Sequence, residues 1–149
     1  MGAGNPLAAF PPLAEGLEQV EDELRASVVT NDTFLTEVAS HLIVAGGKRV
    51  RPGFTLAAST AAVDADSPVS SEAVMGGVAC ELVHLGSLYH DDVMDEAETR
   101  RTVDSVNHRW GNLRAILAGD FLLARASEIA ASLCTEVAGL LANTIALLC

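Results

Sequence analysis

The chain has 149 residues, half of them hydrophobic and only 4% aromatic, with a formal net charge of −11. That length suffices for one domain with a core of its own, and a composition rich in Ala, Leu and Val with few alternating β-branched runs favours an all-α fold. The acidic balance excludes non-specific affinity for nucleic acid or for anionic membrane surfaces.

Residues 1–12 contain Pro6, Pro11 and Pro12 and read as an irregular lead-in. From Leu13 to about Val29 apolar residues recur at helical spacing, while Glu15, Glu18, Glu21, Asp22 and Glu23 face water. Asn31 or Asp32 suits the cap of a second helix that stops at Gly46-Gly47. Pro52 belongs in the first turn of a third helix, ending near Val63. Residues 64–72, DADSPVSSE, form a polar loop with a new helix start at Ser70 or Ser71. A long helix follows from about Glu72 to Met94, with Val74, Val78, Leu82 and Leu85 on its apolar face. Residues 96–110 read as loop and short helix, and two further helices cover about Asn112–Ser132 and Thr135 onward.

The last stretch, VAGLLANTIALLC, has hardly any polar residues. It is too short to span a bilayer, and Asp120, Arg125 and Glu128 interrupt the helix before it, so no transmembrane segment is expected. A helix this apolar is expected to be buried on several sides, and its position at the end of the chain reads as truncation. Cys80, Cys134 and Cys149 form neither a disulfide framework nor a zinc motif. The first two fall inside apolar helical patterns, where free cysteine behaves as a small core residue. No basic-led hydrophobic signal precedes Arg25, the first basic residue, and a reducing, cytoplasmic setting is expected.

The chemistry concentrates in two places. Of the nine Lys and Arg, Lys48, Arg49 and Arg51 form one group and Arg100 and Arg101 another, an arrangement suited to compact anions. GGKRVRP, residues 46–52, joins a glycine turn to three cations just before a proline-started helix. Glycines let the backbone approach an anion, and lysine and arginine supply point charge and a planar fork. The GxxxxGK[ST] phosphate loop is absent. In ELVHLGSLYHDDVMD, residues 81–95, Asp91 and Asp95 share one helical face, Asp92 lies at its edge, and His84 is two turns back on roughly the same side. Adjacent carboxylates at a helix carboxyl end oppose both one another and the helix dipole, so a divalent cation is the natural neutraliser. Magnesium takes few protein carboxylates and completes its shell with water and phosphate oxygens, so the triplet suits metal–diphosphate better than a permanent metal cage. Two anion sites, one metal-dependent and one cationic, on an apolar helical scaffold suggest the joining of two apolar-tailed diphosphates.

GGKRVRP, ELVHLGSLYHDDVMD, the Arg100-Arg101 pair nine residues after Asp91, and ILAGDFLLARA at 116–126 together resemble the trans-type isoprenyl (polyprenyl) diphosphate synthases. The resemblance runs from about Ala8 to the chain end, with its motifs in the family's order. It implies a partial isoprenoid-synthase helical bundle of five to seven helices, with 1–149 as the N-terminal portion of a polyprenyl synthase domain. The implied reaction condenses isopentenyl diphosphate with an allylic prenyl diphosphate. By the resemblance, Asp91 and Asp95, supported by Asp92, hold Mg2+ on the allylic diphosphate, and Arg100 contacts that diphosphate. Lys48, Arg51, His84 and Arg101 bind isopentenyl diphosphate, whereas Arg49 reads as surface charge. Gly86 and Ser87, where bulky family side chains block the elongation pocket, imply a product longer than farnesyl. Asp120 matches a family acidic position and is given no direct catalytic role.

Two departures qualify the resemblance. Thr102 stands where the family usually has glycine, which should alter loop geometry only modestly. The family's second aspartate-rich motif would lie beyond Cys149, so one wall of the active site is expected here and turnover by this chain alone is not. The alternative is a non-catalytic helical subunit that dimerises with a complete synthase, or a homodimer through helices of this region. A small metal-binding interaction protein is a third reading, which the intact cationic motif argues against.

Overall fold

Pro11 opens the first long helix, α1 (Pro11–Ser27), because a fixed φ and a missing N–H cost nothing in a first turn. The computed structural model describes residues 5–63 and 67–148. The lead-in is therefore shorter and more ordered than its prolines suggest. Pro6–Ala9 form a 3-10 turn, and Asn5 caps its start and ties it to the beginning of the third helix: its side chain accepts from the Leu7 N–H at 2.9 Å and donates to the Arg49 carbonyl at 3.0 Å. Residues 1–4 of the expected lead-in lie outside the described residues.

Asp32 caps α2 (Thr33–Val44) by accepting from the N–H groups of Phe34 and Leu35 at 2.9 and 3.1 Å. Gly46, at φ 83°, turns the chain out of that helix. Helix α3 (Val50–Ala61) starts two residues before Pro52, with Arg49 in the left-handed region as its N-cap residue. Of the expected polar loop, 64–66 lie outside the described residues, and Ser70 caps the long α4 (Ser71–Met94). A two-stranded hairpin, β1 (Thr99–Arg100) with β2 (Val103–Asp104), follows. Helices α5 (Val106–Trp110), α6 (Asn112–Leu133) and α7 (Thr135–Leu148) complete an all-α architecture around it.

Helix α4 is the axis of the core. Val78, Leu82, Leu85 and Tyr89 are fully buried, facing apolar residues of α1, α2, α3 and α6. Each such aliphatic side chain removed from water contributes about 1.5–3 kcal/mol before entropy is counted. α4 and α6 approach closely because Gly86 carries no side chain: a Cβ there would stand 3.1 Å from the Gly119 carbonyl oxygen. The Tyr89 hydroxyl donates to the Val38 and Ala39 carbonyls at 2.8 and 3.1 Å, fastening α4 to the last turns of α2.

Two expectations about apolar segments fail. Helix α7 has no buried residue, and Leu147 is 88% exposed, because among the described residues the helix leans mainly on α6. Cys80 and Cys134 are exposed rather than core residues. Apolar residues surround α4 so completely that periodicity cannot separate its core face from the face that borders a cleft, where Cys80 lies. Among the described residues no helix is long and apolar enough to cross a membrane.

The hairpin turn explains the departure at Thr102. Arg101 and Thr102 occupy the two loop positions with φ values of 51° and 68°, the paired left-handed conformation of a type I′ turn, for which glycine is favoured. A β-branched residue is strained there. Thr102→Gly should relieve about 1–2 kcal/mol of strain while adding about 0.5–1 kcal/mol of unfolded-state entropy. The expected net result is a variant stabilised by roughly 0.5–1 kcal/mol, read as a higher urea midpoint; an unchanged or lower midpoint would contradict the turn assignment.

Candidate functional site

The glycine turn at 46–47 is shaped by arginines from two directions. A Cβ on Gly47 would stand 2.8 Å from Arg101 Nη1 and 3.0 Å from Arg49 Nη1, so only glycine threads between the two guanidiniums. Arg101 Nη1 donates to the Leu42 carbonyl at 3.1 Å and to that of Gly46, which ties the hairpin to the end of α2. Arg49 is not a surface charge: it is 5% exposed. Its Nη1 donates to Glu81 Oε1 at 3.0 Å, its Nη2 to Glu21 Oε2 at 3.3 Å and to the Ile43 carbonyl at 3.1 Å, and its Nε to Glu21. Sequence reasoning missed this network because the two carboxylates are 28 and 32 residues away in the chain. A signal was present in Glu81, a charge in register with the apolar residues Val78, Leu82 and Leu85 of α4.

With Arg49 and Arg101 turned inward, Lys48 and Arg51 face solvent and form no ion pair among the described residues. His84, half-buried on α4, stands in the field of this cluster. Burial, followed by the charges of Arg51 and Arg101 and more weakly of Arg100, lowers its pKa from 6.5 to about 4, with only Asp91 acting in the other direction. Burial likewise lowers Arg101 against the pull of Glu81.

The three aspartates do not occupy equivalent places. Asp92 is completely buried, and Arg100 donates to its Oδ1 through Nε at 2.7 Å and through Nη2. That hydrogen bond, against a smaller desolvation effect, raises the Arg100 pKa. Asp91 is half-buried in the last turn of α4, and Asp95 is exposed at the cap, its N–H donating to the Asp91 carbonyl at 2.8 Å. No group of three His, Cys, Asp or Glu side chains among the described residues converges tightly enough to cage a metal. The donor set nonetheless fits a divalent cation shared with a ligand: Asp91 and Asp95 offer accessible carboxylates, and Asp92 Oδ2 is a buried acceptor without a hydrogen-bond partner.

Two apolar clefts adjoin along α4. One, of about 830 Å³, runs between α3, α4 and α7, with Arg51 and His84 among its lining residues. The other, of about 520 Å³, has Asp91 and His90 at its wall together with Ile116 and Leu123 of α6. Val83 and Ser87 border both. Ser87 is thus placed to affect the shape of either cleft, whereas Gly86 serves the contact with α6. Asp120 is exposed, its Oδ1 3.3 Å from His90 Nε2.

The sequence model of the Polyprenyl synthetase family matches residues 32–149. The chain belongs to that family. It is 42% identical over 131 residues to a nonaprenyl diphosphate synthase of Mycobacterium tuberculosis, covering 88% of this chain and 38% of that enzyme. It is similar in structure to a decaprenyl diphosphate synthase from Rhodobacter capsulatus, with a TM-score of 0.82, 34% identity, and coverage of 92% of this chain and 41% of the other. A polyprenyl synthase from Caulobacter crescentus, solved with calcium and isoprenyl diphosphate, matches with a TM-score of 0.74 and 32% identity over 87% of this chain and 38% of its own. The polyprenyl synthetase chain described here therefore spans about two fifths of the length of its relatives, with the three motifs in the matched part.

The state of His84 gives a direct probe of the cationic cluster. Because its folded pKa of about 4 lies below the ordinary 6.5, its contribution to stability is complete above about pH 6.5 and is lost as pH falls toward 4. The NMR titration of the His84 ring should accordingly have a midpoint near 4 in the free protein and move upward when inorganic diphosphate offsets the arginine field. A midpoint near 6.5 without ligand would show that the cluster does not form around His84.

Proposed function

We propose that the chain supplies the diphosphate-binding wall of a trans-polyprenyl diphosphate synthase, a prenyltransferase that condenses isopentenyl diphosphate with an allylic prenyl diphosphate. The observation that carries this reading is that Arg51 and His84 line one cleft and Asp91 the adjoining one, while Arg100 is held on Asp92 and Arg101 on the glycine turn. On this reading residues 1–149 form the N-terminal portion of the synthase domain and act in isoprenoid biosynthesis in the cytoplasm.

Lys48 and Arg51 hold the diphosphate of isopentenyl diphosphate as mobile, exposed cations, and His84 and Arg101 form the inner side of the same site. The adjoining cleft receives the allylic tail, with its diphosphate at Asp91, Asp95 and Arg100. Asp91 and Asp95, with Asp92 in support, would hold Mg2+, which would supply positive charge to the departing diphosphate. Arg100 adds a fixed cation at the same place, anchored against Asp92 so that little reorganisation is required when charge develops. The apolar walls exclude water and hold the two reacting carbons close together, which is positioning catalysis. No carboxylate of the site is aimed as a base, and the departed diphosphate takes the proton. Ser87, small at the border of both clefts, favours a medium or long chain over farnesyl.

A second reading, a non-catalytic subunit that pairs with a second copy or with a related complete synthase, is favoured by the apolar surface left open at Leu113, Leu117 and α7. Calorimetry separates the steps. Arg51→Ala should weaken metal-free binding of inorganic diphosphate by about tenfold, the effect of about 1.4 kcal/mol from one charge-assisted contact. Asp91→Ala should leave that binding in place and abolish its strengthening by magnesium. Purified chain is then given radiolabelled isopentenyl diphosphate, farnesyl diphosphate and magnesium. An elongated product that vanishes in Asp91→Ala assigns the whole reaction to this chain. Intact binding without turnover is the result expected of one wall of the site, and wild-type protein that binds no diphosphate defeats that reading.

A further inference from the structure

Glu81 opens the 81–95 motif without a substrate contact of its own, and it is 2% exposed. Its Oε1 lies 3.0 Å from Arg49 Nη1 and 3.8 Å from Arg101 Nη2. Glu21 takes the other side of Arg49 and also pairs with the exposed Arg25, so two carboxylates and two inward guanidiniums form a linked group beneath the glycine turn. The same guanidiniums hold the carbonyls of Leu42, Ile43 and Gly46 and bracket Gly47. Lys48 and Arg51 emerge directly from this base.

We propose that Glu81 is a positioning residue for anion binding. By neutralising and orienting Arg49 and Arg101 it sets the conformation of residues 46–51 and aims Lys48 and Arg51 at the guest. The inference rests on the reading of 46–51 as a diphosphate site. A carboxylate beside an anion site would ordinarily oppose binding by charge alone, so removing it should tighten the complex. If Glu81 acts through geometry, removing its charge weakens the complex instead. The sign of the change discriminates between these roles.

The test is the affinity of the full chain for inorganic diphosphate, with amide hydrogen exchange at Gly46, Gly47 and Lys48 measured alongside. Glu81→Gln, which keeps the shape and removes the charge, is expected to weaken binding about tenfold and to raise exchange in the turn, as expected when a charged hydrogen bond is lost. Arg49→Lys keeps every charge and loses the planar fork; it should change both readouts in the same direction and carries the test if Glu81→Gln does not fold. Folded variants that bind diphosphate as tightly as wild type or more tightly, with turn amides unchanged, would overturn the proposal. Should wild-type protein bind no diphosphate, the diphosphate-site reading fails, and exchange at the turn amides still decides whether Glu81 holds the loop.

Discussion

Two carboxylates on one helix have to be neutralised out of water, and much of the structure follows from how that is done. Glu81 and Asp92 lie about three turns apart on α4 and are both buried. A buried charge left without a partner costs several kcal/mol, so each requires a guanidinium held in place. The hairpin after α4 meets both demands with adjacent residues: Arg100 reaches Asp92, and Arg101 approaches Glu81. Arg49, arriving from the glycine turn, completes the set. Such pairs contribute little to net stability compared with apolar packing of the same volume. Their role here is registration, because the glycine turn and the hairpin must both meet α4 at these carboxylates.

That arrangement sorts the basic residues into two kinds. Arg49, Arg100 and Arg101 are engaged with carboxylates, whereas Lys48 and Arg51 remain exposed. The inward group supplies a stiff base; burial first, and then Arg51 of the outward pair with Arg101, lowers the pKa of His84. The outward pair supplies the adjustable contacts. A site built this way gains rigidity where the backbone must not move and keeps long, flexible side chains where the guest enters. The asymmetry also appears among the aspartates, since Asp92 is half committed to Arg100 while Asp91 and Asp95 stay open.

The apolar part of the molecule is complete on one side only. Around α4 the contacts with α1, α2, α3 and α6 are close-packed, aided by Gly86 at the crossing with α6. On the opposite side the two clefts and α7 remain open, with leucines at the surface. The chain matches about two fifths of each relative's length.

Much of this was legible in the linear order of residues. The 3.6-residue period placed the helices because burial imposes that period locally, and Asp32, Ser70 and the glycines marked ends through short-range capping. GGKRVRP and DDVMD stood out through charge density alone. Three things stayed hidden because they depend on partners distant in the chain: the burial of Arg49 against Glu21 and Glu81, the exposure of Cys80 and α7, and the unequal standing of the aspartates. The sequence by itself determined helical class, family motifs and the residue types of the site, all encoded by short-range spacing. Only the tertiary structure decided which charges turn inward as scaffold and which face a ligand, because desolvation and ion pairing are settled by neighbours that the folded chain alone brings together.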